Sequence, residues 1–157
     1  MRMPIPDANI IAQRSAIIER LQQIVPRGEF GDSVIIDSAG LRAYECDGLS
    51  AYRQLPLIVV LPETTAQVSK ILTYCNEIGV KIVARGAGTS LSGGALPLAD
   101  AVMLGLGKFN KILNIDYANR AVVTQPGVTN LSISEAVSDA DFYYAPDPSS
   151  QIVCSIG

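Results

Sequence analysis

Near the middle of the chain the sequence reads Arg85-Gly86-Ala87-Gly88-Thr89-Ser90-Leu91-Ser92-Gly93-Gly94, which we call the glycine loop. Four glycines, three hydroxyl side chains and one arginine make this stretch too polar for a core and too rich in glycine for a helix. Glycine allows positive φ angles and lets another molecule approach the main chain closely. Successive backbone N–H groups in such a turn form a concavity that suits anions, and Arg85 adds a fixed positive charge at its mouth. The glycine loop therefore predicts a phosphate or pyrophosphate site, although an ordinary Gly/Ser surface turn has a similar composition.

Two common phosphate-binding loops do not match this sequence. A Walker loop ends in Gly-Lys-Ser or Gly-Lys-Thr, and no lysine lies between Lys81 and Lys108. The dinucleotide-binding fingerprint needs a third glycine where this chain has Leu91, and it must open a helix. Residues 95–100, Ala-Leu-Pro-Leu-Ala-Asp, do not read as the start of a helix. The glycine loop is therefore predicted to be a third type, which surrounds a phosphate without a long helix behind it.

A strand, a helix and a second strand precede the glycine loop. Leu57–Leu61 is an unbroken apolar run that predicts a buried strand. Thr64 or Thr65 can cap the helix that follows, and Gly79 can close it in a left-handed conformation. Residues 81–84 then form the second strand. Such a βαβ unit has parallel strands and a right-handed connection, so the glycine loop leaves the carboxyl end of a strand, where ligands bind in open α/β sheets.

The spacing of apolar residues predicts the remaining elements. An amphipathic helix begins after Asp7 and ends before Pro26, and residues 29–54 form a long irregular connection with at most a short strand at 34–36. Beyond the glycine loop we expect a short strand, a hairpin of two strands and a helix capped by Asn130, at residues 101–106, 109–116, 120–125 and 131–138.

A second polar stretch follows that helix, in the segment Ala145-Pro146-Asp147-Pro148-Ser149-Ser150. Its two prolines stiffen the backbone, Asp147 can form an Asx-type turn, and the two serines offer hydroxyl groups. These residues suit an ordinary loop as well as a loop that contacts a ligand.

Composition excludes several classes of protein. The chain of 157 residues has 48% apolar and 17% charged residues and a net charge of −3, which is typical of a globular domain and gives no basic stripe for nucleic acid. The longest apolar run, Leu57–Leu61, is far shorter than the roughly 20 residues of a membrane span. The first residues lack a secretory apolar region. We therefore expect a cytoplasmic protein, with peripheral association at the inner membrane left open.

The chain has no histidine and three cysteines. The absence of histidine removes the commonest general base and metal ligand. Cys46, Cys75 and Cys154 are widely spaced and form no Cys-x-x-Cys pair, which argues against a disulfide framework and a cysteine-rich metal site. Cys75 falls on the apolar face of the predicted helix and is expected to be a buried free thiol.

The glycine loop, together with the strand Leu57–Leu61 and the helix after it, resembles the FAD-binding domain of the vanillyl-alcohol oxidase and p-cresol methylhydroxylase (PCMH) family. The segment Tyr44–Arg53 is similar to that of the flavin subunits of bacterial glycolate oxidases, which are related to D-lactate dehydrogenases. In this family the amides of the loop hold the pyrophosphate of FAD. The resemblance implies an α/β fold, with a lead-in at residues 1–54 and the first, βαβ lobe of a PCMH-type domain at residues 55–157, truncated before the second lobe.

The resemblance also implies which residues contact the cofactor. The turn at 126–128 passes close to the flavin in the family, and the segment from Pro146 to Gly157 looks like its second FAD-contacting segment. FAD should be bound non-covalently, because the histidine that some family members link to flavin is absent, unless a cysteine serves instead. No catalytic residue is expected within the chain. The expected cofactor contacts are Pro62, Arg85, Gly86, Ala87, Gly88, Thr89, Ser90, Leu91, Gly93, Gly94, Pro126, Gly127, Val128, Pro146, Asp147, Ser149, Ser150, Ile156 and Gly157.

By this resemblance the chain is the front part of an FAD-dependent 2-hydroxyacid oxidoreductase, and oxidation of glycolate to glyoxylate is the expected activity. D-lactate or D-2-hydroxyglutarate dehydrogenase is the alternative within enzymes, and a non-catalytic nucleotide-binding or phosphate-binding module is the alternative from another class. In glycolate oxidases the flavin subunit works beside a second flavin-type subunit and an iron–sulfur subunit, so a hetero-complex is expected by analogy.

Overall fold

The fold was analysed in a computed structural model, which describes residues 3–28, 31–146 and 148–157. These residues form five α-helices and six strands, and a short 3₁₀ turn at Ser138–Ala140 follows the last helix. The helices are α1 Ala8–Ala12, α2 Arg14–Ile24, α3 Ser38–Arg42, α4 Thr65–Glu77 and α5 Asn130–Val137. The strands are β1 Val34–Ile35, β2 Ile58–Val60, β3 Lys81–Arg85, β4 Ala101–Gly105, β5 Ile112–Asp116 and β6 Ala121–Thr124.

Four strands form the main sheet in the order β1-β2-β4-β3. β1 pairs antiparallel with β2, whereas β4 pairs parallel with both β2 and β3. The two strands of the predicted βαβ unit are thus parallel, as expected, but β4 lies between them. All five residues of β4 are buried. The glycine loop leaves the carboxyl end of β3 and leads to this central strand, which confirms its predicted position in the sheet.

The helix α4 is fixed at both ends by the residues that the sequence indicates. Thr64 Oγ1 accepts a hydrogen bond from the Gln67 N–H at 3.2 Å, and Gln67 Oε1 accepts one from the Thr64 N–H at 3.2 Å, which forms a capping box. Gly79 has a φ of +70°, the left-handed conformation that ends a helix. Cys75 is fully buried against the sheet, and burial raises the pKa of its thiol to about 11. The prediction of a buried free thiol is confirmed.

The main core joins residues from both ends of the region before the glycine loop. Ile17 and Leu21 of α2 pack in one cluster with Ile58 of β2 and Ile71 of α4. Residues on either side of position 54 therefore share a core. A smaller cluster on the other face of the sheet consists of Leu41, Val59 and Met103, with Ile35, Tyr44, Leu61 and Val83 packed against it.

Two predictions for the N-terminal region are wrong. The expected single helix is interrupted at Gln13, because the Gln13 N–H donates to the Ile10 carbonyl in a tight turn. The Arg14 guanidinium then donates to the carbonyls of Leu57 and Ile36, at 3.2 and 2.7 Å, which fixes the start of α2 against the sheet. The region 29–54 also contains a helix, α3, that was expected to be irregular.

Helix α3 escaped detection because it is short and its pattern is weak. It has five residues with a glycine in the middle, and Leu41 is its one buried residue among those the structure describes. Its N-terminus is nevertheless well capped, since Asp37 Oδ1 accepts the Gly40 N–H at 2.8 Å.

The elements after β4 agree with the predicted order. β5 and β6 form an antiparallel hairpin that is separate from the main sheet. The helix α5 follows, but Thr129 caps it rather than Asn130, because Thr129 Oγ1 accepts the Ser132 N–H at 3.3 Å. Asn130 is instead the first residue of the helix and is buried. No helix among the described residues is both long and apolar enough to cross a membrane.

Candidate functional site

A cleft of about 410 Å³ lies between the glycine loop and the end of the chain. The lining residues of the glycine loop form its first wall. The lining residues between positions 148 and 157 form its second wall. Ala84 and Ala95 lie at either end of the first wall. The lining residues are Ala84, Gly86, Ala87, Gly88, Thr89, Ser90, Gly94, Ala95, Pro148, Ser150, Cys154, Ser155 and Gly157.

The first wall presents unpaired hydrogen-bond donors. Within the described part of the chain, the backbone N–H groups of Gly88, Thr89 and Gly94 have no acceptor. Gly88 has a φ of +74°, which turns the chain in a way that glycine adopts at little cost. Gly88 and Thr89 are half-buried, and an amide removed from water without an acceptor is costly unless a ligand binds it. The first wall can therefore bind an anion through its main chain.

The electrostatics of the cleft are compatible with a phosphate group. None of the described lining residues has a charged side chain, so no acidic side chain among them repels an anion. Thr89, Ser90 and Ser150 add hydroxyl groups that can donate further hydrogen bonds. The volume and the donor set are thus suited to the pyrophosphate of a dinucleotide cofactor. Among the residues that the structure describes, no cluster of three or more metal-ligating side chains occurs.

Ser155 connects the two walls. Its Oγ accepts a hydrogen bond from the Ala87 N–H at 2.9 Å and donates one to the Gly157 carbonyl at 2.9 Å. Gly86 makes this approach possible, since a Cβ at that position would collide with Ser155 Oγ and with the Gly157 carbonyl oxygen. Gly86 is therefore required for contact between the walls. The Ala87 amide, expected to bind phosphate, is used by Ser155 in this structure.

The back of the first wall rests on residues 44–49, which we call the backing segment. Arg85 Nη1 donates to the Cys46 carbonyl at 2.7 Å, and the guanidinium lies over the Tyr44 ring, 5.6 Å from its centroid. Gly48 contacts the loop so closely that a Cβ there would lie 2.6 Å from the Thr89 carbonyl oxygen. Asp47, only 5% exposed, accepts a long hydrogen bond of 3.4 Å from the Ala95 N–H. The lead-in region thus supports the glycine loop directly.

Helix α5 supports the second wall from behind. The backbone N–H groups of Asn130 and Leu131 donate to the carbonyls of Cys154 and Gln151, at 3.0 and 3.1 Å. The Asn130 side chain, in a residue that is 4% exposed, donates from Nδ2 to the Pro146 carbonyl at 2.9 Å. Its Oδ1 is buried and has no hydrogen-bond partner among the described residues. Asn130 therefore connects Cys154 of the second wall to Pro146, which lies just before that wall.

The structure brings together eight of the expected cofactor contacts. Those that line the cleft are Gly86, Ala87, Gly88, Thr89, Ser90, Gly94, Ser150 and Gly157. Asp147 lies outside the described residues. The expected contacts that do not line the cleft are Pro62, Arg85, Leu91, Gly93, Pro126, Gly127, Val128, Pro146, Ser149 and Ile156. Contact with a cofactor remains a prediction for every residue of the expected set.

The structure shows where several of the expected contacts that do not line the cleft are located. Pro62 is buried at the end of β2, and Leu91 is 75% exposed to solvent. The Pro126 and Val128 carbonyls accept the N–H groups of Gly157 and Ile156, at 2.8 and 2.9 Å. The turn at 126–128 therefore holds the second wall rather than lining the cleft.

The expected orientation of Arg85 is wrong. Its guanidinium lies behind the glycine loop, against the backing segment, and not at the mouth of the cleft. The physical reason is that the Cys46 carbonyl and the Tyr44 ring offer a hydrogen bond and an aromatic face to this cation. A side chain at Gly88 would collide with the guanidinium, so the loop closes over it.

Sequence reasoning missed five lining residues: Ala84, Ala95, Pro148, Cys154 and Ser155. Pro148 and Ser155 lie in segments that the sequence singled out, so their neighbours were the available signal. The bond from Ala87 to Ser155 joins residues 68 positions apart, and no local pattern indicates such a contact.

Comparison with known proteins identifies the family to which this chain belongs. The sequence profile of the FAD binding domain family matches residues 56–157, so the chain belongs to that family. FAD is therefore the cofactor, as predicted. The p-cresol methylhydroxylase structure superposes with a TM-score of 0.71 over 88% of this chain and 27% of that one, at 23% identity, which confirms the PCMH-type fold.

The curated relatives are FAD-linked oxidoreductases. The glycolate oxidase subunit GlcD of Escherichia coli (strain K12) is 50% identical over 144 residues, which cover 92% of this chain and 28% of that protein. A probable mitochondrial D-2-hydroxyglutarate dehydrogenase of Oryza sativa is 33% identical over 128 residues, covering 81% of this chain and 23% of that protein. The chain thus spans less than a third of the length of these relatives.

Proposed function

We propose that this chain is the cofactor-binding N-terminal part of an FAD-dependent 2-hydroxyacid oxidoreductase, and that the whole protein oxidises glycolate to glyoxylate. The observation that carries the proposal is the uncharged cleft whose first wall presents the free amides of Gly88, Thr89 and Gly94. The 50% identity to a glycolate oxidase subunit supports the choice of glycolate.

The residues of this chain have binding and orienting roles in the proposed reaction. The amides of the first wall donate hydrogen bonds to the pyrophosphate, and the hydroxyls of Thr89 and Ser150 can add two more. The second wall closes the other side and limits access of water. The bound FAD supplies the acceptor for the hydride that leaves the hydroxyl-bearing carbon of the substrate. We assign no proton transfer to a residue of this chain.

We infer that the flavin is held without a covalent bond. The chain has no histidine, and of the cysteines that the structure describes only Cys154 lines the cleft. Acid precipitation of the full-length protein should therefore leave all flavin in the supernatant. Flavin that stays with the pellet of wild type but not of Cys154→Ser would show a link through this thiol.

The proposed function also includes the subunit partners of the protein and its location in the cell. The Escherichia coli relative is named a subunit of glycolate oxidase, which supports a hetero-complex. We propose that a second flavin-type subunit and an iron–sulfur subunit complete it and carry electrons away, in the cytoplasm or at the inner face of the membrane. Co-purification with a tagged full-length chain, followed by iron and flavin analysis, tests this arrangement.

Anaerobic reduction of the flavin tests the proposed activity. We expect the purified full-length protein to contain FAD and to lose its visible flavin absorbance fastest with glycolate. Faster bleaching by D-lactate or D-2-hydroxyglutarate would transfer the assignment to the related dehydrogenases, both of which are also sequence relatives. A colourless protein that takes up no FAD would instead indicate a binding module for another phosphate ligand.

A further inference from the structure

Arg85 is the cation of the glycine loop, yet its side chain has no place in the cleft. Within the described part of the chain no carboxylate lies within ion-pair distance of its guanidinium. A half-buried guanidinium without an acid needs other compensation, because burial of a charge is costly. The structure supplies this compensation through the Cys46 carbonyl and the Tyr44 ring.

The Tyr44 ring is itself fixed by the core. It packs against the cluster of Leu41, Val59 and Met103 on one face of the sheet. Burial raises the pKa of its hydroxyl, and the positive charge of Arg85 offsets only part of this effect. The ring is therefore a neutral, immobile surface at ordinary pH. It connects the sheet to the guanidinium, and the guanidinium connects the ring to the glycine loop.

The loop backbone closes on the other side of the guanidinium. A Cβ at Gly88 would collide with the Arg85 side chain, so the main chain at Gly88 lies directly against it. Gly88 also has the left-handed φ that directs the loop toward the cleft, and its amide is one of the unpaired donors. The position of these donors is therefore set by Arg85.

We propose that Arg85 and Tyr44 form one positioning unit for the FAD site, which holds the amides of Gly88 and Thr89 in the conformation that binds pyrophosphate. This inference rests on the proposed function and replaces the expected direct contact of Arg85 with phosphate. A loop that adopts its binding conformation only a fraction of the time binds its ligand more weakly by that same fraction. Substitution of either residue lowers the fraction of the protein whose loop is in the binding conformation. Once one residue has been substituted, substitution of the other lowers this fraction little further.

A double-mutant cycle on the full-length apoenzyme tests the unit. FAD titrations of Tyr44→Leu and Arg85→Met should each show a dissociation constant raised about tenfold, and the double variant should also stay near tenfold instead of about a hundredfold. Tyr44→Phe keeps the aromatic face and should bind as wild type does. Independent, multiplying effects of the two substitutions, or wild-type affinity of Tyr44→Leu, would overturn the proposal.

Salt dependence separates positioning from direct charge contact. For Arg85→Met, direct contact with phosphate predicts a loss of affinity that shrinks as salt rises, whereas positioning predicts a loss by the same factor at low and high salt. Arg53→Ala is the matched control, because it removes a cation of the same region from an exposed pair with Glu45 and should leave FAD affinity unchanged.

The controls also separate this proposal from the function itself. If wild-type apoenzyme takes up no FAD, the proposed function fails, whatever the variants do. If wild type binds FAD and Arg85→Met does not fold, the comparison of Tyr44→Leu with Tyr44→Phe still decides. Equal affinities of these two variants would show that the aromatic contact positions nothing.

Discussion

The two walls of the cleft are held in place by different means. The first wall is held through side chains: Arg85 of the glycine loop, and Tyr44 and Asp47 of the backing segment. The second wall is held mostly by its own backbone, which bonds to the turn at 126–128 and to the start of α5. Amides that stabilise the fold cannot also bind a ligand. A wall that keeps its donors free must therefore be supported by side chains from elsewhere, and this difference explains why the two walls have different weaknesses.

The largest effect is expected where the two walls touch. Gly86→Val would place a side chain in the position of Ser155 Oγ and the Gly157 carbonyl, which forces one wall away from the other. Such overpacking typically costs on the order of 1–3 kcal/mol, so we expect FAD affinity to fall by about a hundredfold. FAD titration of the full-length apoenzyme measures this loss.

Gly107→Val is a matched control for that substitution. No atom lies within 4 Å of a Cβ built at Gly107, so the same increase in size should be tolerated there. Stoichiometric flavin in purified Gly86→Val would show that contact between the walls does not determine the shape of the cleft.

A smaller effect is expected at the back of the second wall. Asn130→Ala removes the hydrogen bond to the Pro146 carbonyl, and with it a buried acceptor that has no partner among the described residues. Since deleting an unpaired buried group offsets part of the lost bond, the free energy of unfolding should change by less than about 1 kcal/mol. FAD affinity should nevertheless fall by about fivefold to tenfold, because the loop before the second wall becomes less ordered.

Thermal unfolding and flavin titration of the same Asn130→Ala sample separate these two quantities. A change in stability large enough to explain the loss of FAD would assign Asn130 to the core and not to the wall. Ser132→Ala, which alters the same helix turn at Thr129 without contacting Pro146, provides the comparison.

Asp100 should affect stability and leave both walls unchanged. It is 2% exposed and accepts hydrogen bonds from Lys81 Nζ at 2.7 Å and from the Asp7 N–H at 3.0 Å, which anchors the N-terminal segment to the sheet. Burial disfavours its charged form, but these bonds outweigh that cost and place the pKa of the carboxyl below its ordinary value. Asp100→Asn should lower the free energy of unfolding by about 2 kcal/mol at neutral pH, a reduced figure because Lys81 is half exposed.

The lowered pKa of Asp100 determines the direction in which its contribution to stability changes with pH. A lowered folded-state pKa stabilises the protein fully above the ordinary carboxyl pKa of about 4, and this stabilisation is lost as the pH falls through the folded value. The difference between wild type and Asp100→Asn should therefore shrink in acid, while FAD affinity at neutral pH stays the same for both. An undiminished difference at low pH would contradict the assigned charge state.

The sequence was sufficient for the order of most elements and for the position of the glycine loop in the sheet. Strand β2, the Thr64 cap of α4 and the start of the glycine loop after β3 each depend on residues close together in the chain, and these predictions are confirmed. The direction of the Arg85 side chain was not predictable in this way. Its partner Cys46 lies 39 residues earlier, and only the folded sheet brings the two together.

The insertion of β4 between β2 and β3 also constrains the order in which this region can fold. Neither β2 nor β3 has its parallel partner until the chain has passed through the glycine loop and reached Gly105. A nascent chain that ends within the loop therefore has two strands separated by the width of a missing third, and α4 has no completed sheet to pack on. We expect the glycine loop and the centre of the sheet to become ordered in the same step, so that a chain with a folded sheet already has the loop that we propose binds phosphate.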